Sequence, residues 1–526
     1  MTQNTVSRRG FITGATAAAA LAAVGLAGCS TNKPATQSAE QTWDRETDVV
    51  ICGGGGTGLA AAVEAGRAGV ETLVLEKSDH AGGTTALSGG MIMVPGTKYQ
   101  ETFKGYKGDT PEKLYDYYMA ADSMGAGILD ADLVKDFCDG AQANLAWCEE
   151  QGIKYVNCFE VKPVPGIPLE LTEPPRIHIP GDDTTGTESS AGTGRVHTEP
   201  LLKTATDAGV VFEYKIEATQ LIVDQNQGVI GVVAKTANGE EQRIKARRGV
   251  VLATGGYEHN EDMARAFSPW QFNSTVTKQS QCFSQPTNTG DGHRMGIEIG
   301  AQLAGMGGTM NTPINTSIGR DPSGSIGDAI PGIGVNKYGA RFCSEWSTYP
   351  YYFYKSYQQD EHNTWIIFDQ TVYDMGITAL GVEDGKTLID AGMLFKGETI
   401  ADLAKAAGID PVGLEATLAR WNADMENGGE DTMFDKPKGL APINTPPFYA
   451  ALDASANLGT FGGLKINTDA QVLNWNNEPI PRLFAGGMCS GGWIGSWYPG
   501  SGTAVGGTVH WGRRGGMNAA ALDPWE

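Results

Sequence analysis

At 526 residues, with 40% hydrophobic side chains, the chain is long enough to build more than one core. A net charge of −22 argues against nucleic acid, whose phosphates need a basic face. The 72 glycines follow no period, so they mark many tight turns and not a low-complexity tract. In chain order, Ser7-Arg8-Arg9-Gly10-Phe11-Ile12 is a twin-arginine signature that predicts export from the cytoplasm. Ala15 to Ala27 is too short and too weakly apolar for a convincing membrane span. Leu26-Ala27-Gly28-Cys29 has the form of a bacterial lipobox, which would make Cys29 a lipidated membrane tether; the alternative is an ordinary cleavage region with a stray cysteine. Residues 30–42, polar and without aromatic side chains, read as a linker. The eight cysteines contain no CxxC and no CxxCH, and the seven histidines are scattered, so neither haem attachment nor a metal site is expected.

Thr47 to Ile51 reads as an apolar strand. Cys52 and Gly53-Gly54-Gly55-Gly56-Thr57-Gly58 follow, then a helical stretch from Leu59 to Ala65 and a second strand, Glu71 to Leu75, ending at Glu76. Strand, GxGxxG turn, helix, strand and a late acid make a complete dinucleotide unit. Gly53 permits the sharp turn, Gly55 lets a pyrophosphate approach the backbone, and Gly58 lets helix and strand close up. Gly56 stands at the helix start, whose N–H groups favour phosphate. Glu76 can accept from ribose hydroxyls and would repel a 2′-phosphate. No second unit of this kind occurs, so a resident NAD(P) site is not expected. Further along, Arg248 to Leu252 reads as a strand before Ala253-Thr254-Gly255-Gly256, Trp365 to Asp369 as a buried strand, and Leu403 to Asn422 as helical. The proline-rich segment Ala441 to Pro447 reads as a hinge.

Residues 77–90 read KSDHAGGTTALSGG. This resembles the fumarate reductase and 3-ketosteroid dehydrogenase superfamily of FAD enzymes, where a GGxSxxSGG stretch lines the cofactor; Thr85 stands where serine is common. The resemblance implies that Lys77, Gly83, Thr84, Thr85, Ser88, Gly89 and Gly90 flank a non-covalent FAD. It adds Ala253 and Gly255 of the ATGG turn, Asp291 of Thr289-Gly290-Asp291-Gly292, Gly487 of the segment PRLFAGG, and Thr503, Ala504 and Val505 after the glycine-rich C-terminal stretch. The implied fold is α/β: a Rossmann-like, glutathione-reductase-like FAD domain with an inserted α+β cap. The expected division is signal and tether 1–42, FAD domain 43–307, cap 308–448, and return to the FAD domain 449–526.

Fumarate-reducing members carry RFxNExxxR, whose last arginine delivers a proton, and a C-terminal HGANRLGGN stretch that holds carboxylates. Here residues 341–349 read RFCSEWSTY and 495–502 read GSWYPGSG, with no Arg or His at those places. A doubly anionic substrate loses its principal clamps. Both replacements resemble the 3-ketosteroid dehydrogenase branch. That likeness implies that the Tyr498 O–H and Gly502 N–H hold a ketone oxygen as a small oxyanion hole, and that Tyr349 exchanges a proton beside the ketone. The cardiac glycoside reductases are a related type, placing cysteine six residues before a cap tyrosine as Cys343 and Tyr349 do. The branch carries one more tyrosine supporting the base; residues 161–181 hold none, and Tyr155, the nearest, is assigned no role. Trp493, Trp497, Trp346, Tyr351, Tyr352 and Phe353 are expected to wall an apolar slot, with core packing the alternative for any single ring.

Ordinary tyrosine, with a pKa of about 10, is a more natural acid than base, which favours reduction. The expectation is an exported FAD reductase of a 3-ketosteroid-like enone, with hydride from flavin N5, a proton from Tyr349, and electrons from membrane quinol or a cytochrome. Two alternatives stay open: a reductase of a small unsaturated acid such as fumarate, urocanate or cinnamate, and a flavin electron carrier with no substrate pocket. His510 is expected to be structural, since no partner for it is visible in the sequence, and Arg195 with His197 to fix a loop near the cap.

Overall fold

The computed structural model describes residues 42–182, 192–269, 281–313, 332–360, 363–375, 385–453 and 455–525. The twin-arginine signature and Cys29 lie outside the described residues. Residues 44–526 form one compact unit, and among the described residues every strand and helix belongs to it. No helix among them is long and apolar enough to cross a membrane.

The central sheet is built from β1 (Arg45–Cys52), β2 (Thr72–Glu76), β3 (Val211–Tyr214), β4 (Ile216–Val223), β5 (Val229–Thr236), β6 (Glu241–Leu252), β7 (Gln471–Leu473) and β8 (Pro479–Ala485). The order β7-β8-β6-β1-β2-β3 is parallel from β8 to β3, with β7 antiparallel at one edge. The first half of β6 pairs antiparallel with β5, which pairs in turn with β4. Val49, Val50, Ile51 and Cys52 are all buried, the unbroken apolar run of a parallel strand covered on both faces. Three helices matter for the site: α1 (Gly56–Arg67), α2 (Tyr349–Tyr357) and α3 (Thr503–Ala521). α3 lies against α1 backbone to backbone. A Cβ at Gly512 would fall 2.4 Å from Thr57 O, and one at Gly516 the same distance from Ala61 O.

The inserted segment forms a four-stranded antiparallel sheet of Ile333–Asn336, Thr364–Asp369, Phe448–Leu452 and Leu394–Gly397, in that order. It therefore runs through Leu452, beyond the boundary expected at 448. The stretch with helical spacing over 403–422 falls in two helices, Ile400–Ala407 and Pro411–Glu426. Gly408 (φ 75°) ends the first, and Asp410, accepting from the Val412 and Gly413 N–H groups, caps the second with Pro411 at its first position. A small sheet joins the two regions: Ser455–Thr460 lies between Gln281–Cys282 and Thr309–Pro313, and Thr309–Pro313 packs on α2.

Candidate active site

The carboxyl ends of β1, β2 and β6 open onto a cleft. Gly53, Gly55, Gly56, Glu76, Lys77, Gly83, Thr84, Thr85, Ala253, Gly255 and Asp291 all line it. Gly53 adopts φ 106°, and a Cβ there would meet Ala253 O at 2.3 Å. A Cβ at Gly55 would meet nothing nearer than Gly83 Cα at 3.9 Å, so its bare face opens to the cleft, as close approach of a pyrophosphate requires. Gly58 lies behind the lining and serves packing: a Cβ there would fall 1.8 Å from Gly53 O. The buried Glu76 carboxylate accepts from the Gly54 and Ser78 N–H groups, both at 2.7 Å. A carboxylate has about four acceptor sites, so half remain for ribose hydroxyls. A bare phosphate turn and an acid at the end of the second strand fit FAD.

Lys77 and Asp291 are less available than expected. The Lys77 ammonium pairs with Glu217 at 3.0 Å and Asp291 at 3.1 Å and donates to Thr289 Oγ1. Burial works against its charge, but the two carboxylates outweigh it and raise its pKa. The trio ties β2 to β4 and to the Asp291 helix start, and no sequence signal pointed to Glu217. Ser88 stabilises its own turn, donating to Thr85 O at 2.7 Å and accepting from Gly90 N–H at 3.0 Å, with Gly89 between. Ser88, Gly89 and Gly90 lie outside the cleft lining. Gly487 seats against α1, where a Cβ would meet Thr57 Oγ1 at 2.2 Å; its neighbour Met488 reaches the cleft. The sequence reading also missed Asn288, which donates to Thr84 Oγ1 and to the buried Glu258.

The start of α3 gathers the residues expected to carry chemistry. Gly502 (φ 95°) precedes the helix, with Thr503, Ala504 and Val505 forming its first turn. Tyr498 is buried, its ring stacked on Phe461 at 5.5 Å, and its Oη accepts from Ala504 N–H at 3.0 Å. Burial, then the neighbouring Tyr349 phenol, push its pKa far above the usual value, against the pull of the Ala504, Gly502 and Thr503 amides. Tyr349 opens α2, and its phenol meets the Ser501 hydroxyl; burial raises its pKa and the Ser501 hydrogen bond opposes the rise. Tyr349, Tyr498 and Gly502 thus come together. Both phenols stay protonated at neutral pH, which suits proton and hydrogen-bond donation.

Ser501 had not been singled out, nor had two tyrosines of the helix Pro111–Ser123. Tyr118 Oη lies 2.8 Å from Thr503 Oγ1, and Tyr117 Oη donates to the Pro499 carbonyl. These rings, and not residues 161–181, bring extra phenols to the start of α3. Tyr155 packs instead against His178 and His197.

The aromatic slot is mostly core. Trp493 fills the space over Gly507, edge-on to Phe137, with Nε1–H on Ser490 Oγ. Tyr352 and Phe353 pack against each other. Trp497 packs on Tyr351 and Tyr354 of α2 while donating to Ala121 O, so it fastens α2 to the FAD domain. The Trp346 ring lies under the ammonium groups of Lys162 and Lys438. Arg341 is fully engaged by Glu345 (2.6 Å) and Asp431 (2.8 Å), and burial pushes the Cys343 thiol well up. His510 does have partners: Asp136 at 2.8 Å and Asn144 Nδ2 at 2.9 Å. Arg195 pairs with Asp182, and His197 is buried, its pKa pushed down to about 4 by burial.

Residues 48–505 match the FAD binding domain family. The chain belongs to that family. FAD is its cofactor, and it is an FAD-dependent reductase or dehydrogenase acting on a CH–CH bond. Among relatives of this FAD enzyme, digoxin reductase of Eggerthella lenta is 32% identical, over 99% of this chain and 98% of its own length. Urocanate reductase of the same organism is 30% identical, over 99% of this chain and 82% of its own. A crystal structure of 3-ketosteroid-Δ4-(5α)-dehydrogenase from Rhodococcus jostii with 4-androstene-3,17-dione superposes with a TM-score of 0.77 at 30% identity, covering 92% of this chain and 99% of that one.

Proposed function

We propose that this FAD enzyme reduces a carbon–carbon double bond conjugated to a carbonyl in a steroid-like substrate. The observation that carries the reading is the pairing of two protonated phenols with a glycine amide at the start of α3, where a dianion would need cations. The Tyr498 oxygen accepts from Ala504 N–H, which leaves its own proton for a substrate carbonyl. Gly502 N–H, which here leans on the Tyr498 oxygen, would turn to the bound carbonyl as the second donor of this oxyanion hole. Tyr349 gives its proton to the carbon beside the carbonyl. Bound FAD supplies the hydride chemistry. The digoxin and 3-ketosteroid relatives support the substrate class.

A second reading, reduction of a small unsaturated acid, draws on the likeness to urocanate reductase. Against it stands Arg341, whose charge is already met by two buried carboxylates. The cap, from about 308, serves as the substrate domain. Export by the twin-arginine route, a tether at Cys29 and electrons from membrane quinol or a cytochrome complete the proposal; the lack of a haem motif and of a second dinucleotide unit supports an outside electron source. The test mixes viologen-reduced protein anaerobically with enones and unsaturated acids while flavin reoxidation is followed. Tyr349→Phe is expected to abolish enone turnover with the flavin spectrum unchanged. Persisting turnover would remove Tyr349 as proton donor, and reoxidation by acids alone would favour the second reading.

A further inference from the structure

Two asparagines face each other across the small joining sheet. Asn311 and Asn457 are antiparallel partners in Thr309–Pro313 and Ser455–Thr460, so their side chains leave the same face. Both are buried, at 4% and 0% exposure. Each uses half of its amide locally. Asn311 Nδ2–H donates to Thr309 Oγ1 at 2.5 Å, and Asn457 Oδ1 accepts from Gly459 N–H at 2.8 Å. The other halves, Asn311 Oδ1 and Asn457 Nδ2, find no hydrogen-bond partner among the described residues. A buried acceptor and a buried donor without partners are uncommon in folded proteins, and such groups call for a specific explanation.

The surroundings tie this pair to the site. Leu458 and Gly459, next along the strand, line the dinucleotide cleft, and a Cβ at Gly459 would meet no atom within 4 Å. The strand carrying Asn311 packs on α2, which begins at Tyr349. Phe461, just past the C-terminal end of the same strand, stacks on Tyr498. The four residue steps from Asn457 to Phe461 reach at most about 13 Å in extended conformation, a span that a fused-ring skeleton covers.

We propose that Asn311 and Asn457 form a polar subsite for a hydroxyl group carried by the substrate away from its reacting carbonyl. One O–H donates to Asn311 Oδ1 while its oxygen accepts from Asn457 Nδ2–H, satisfying both. A ketone leaves Asn311 unpaired, and a carboxylate sets its charge against that oxygen. The inference rests on the enone-reductase reading and narrows its substrates to hydroxylated ones.

The test uses viologen-reduced holoenzyme and three probes: 4-androstene-3,17-dione, its 17-alcohol, and the analogue with no oxygen at that carbon. Wild-type kcat/KM for the alcohol is expected to exceed that for the unsubstituted probe by at least about tenfold, the ketone falling between. Asn457→Leu and Asn311→Leu are expected to bring that ratio to one while the unsubstituted probe reacts as with wild type. Should a leucine variant lose FAD, Asn311→Ala serves, since it removes the acceptor without adding bulk or charge; the ratio falls there too. Equal wild-type turnover of alcohol and unsubstituted probe, or a ratio that survives the variants, overturns the subsite and leaves the enone reading intact. Turnover of none of the three by wild type overturns the enone reading, and the subsite with it.

Discussion

Gly502→Ala tests whether the amide before α3 acts through its position. The added Cβ would sit 2.5 Å from Met93 N and from the Ile92 carbonyl carbon, both main-chain atoms that cannot swing aside. Ordinary contact begins at 3.4 Å, so the chain has to yield by about 0.9 Å. The φ of 95° adds about 1–2 kcal/mol of left-handed strain, and overpacking about 1–3 kcal/mol. Destabilisation of about 2–5 kcal/mol is expected, visible as a lower Tm. A donor displaced by close to 1 Å loses its alignment with the carbonyl oxygen, which costs kcat/KM about 100-fold. The assay is enone-driven reoxidation of reduced flavin, at a temperature where FAD content and circular dichroism match wild type. Turnover within a few-fold of wild type in such a folded variant would refute the role given to this amide.

Three further outcomes are expected. Because burial raises the pKa of both Tyr349 and Tyr498, their functional protonated forms persist below those pKa values and are lost as pH rises through them, so the rate of enone reduction should be level through neutrality and fall at high pH; a limb below pH 8 would count against phenol donors. Arg341→Leu strands the buried carboxylates of Glu345 and Asp431, and thermal unfolding should show a loss of about 3–5 kcal/mol. Glu76→Ala orphans the Gly54 and Ser78 N–H groups and removes the ribose acceptor, so flavin released on gel filtration should rise, with affinity down about tenfold or more.

The parts of the fold legible in the sequence were local. β1, the glycine turn, α1, β2 and Glu76 occupy one stretch in which period, turn residues and the closing acid all agree, and the cleft forms there. The break at Gly408 was also written locally, as a helix stop followed by Asp410-Pro411, but the apolar spacing ran through it and masked it. What stayed hidden depends on distant partners. Glu217 reaches Lys77 across 140 residues, and Asp136 reaches His510 across 374. Tyr117 and Tyr118 belong to no motif, and their bearing on the site appears once their helix is docked beneath α3. The aromatic rings show a different limit: slot wall and core filler have the same composition, and packing around Gly507 and Phe137 decided for Trp493.

The glycine seam between α1 and α3 bears on how the protein is made. β1 and α1 leave the ribosome early, yet the surface that seats α3 stays open until residues 503–521 emerge, with the whole cap made in between. Closure of the cofactor cleft is therefore a late event in synthesis, governed by contacts between remote segments. A polypeptide halted before α3 would carry the phosphate turn without the helix that packs on α1 and lends Thr508 to the cleft.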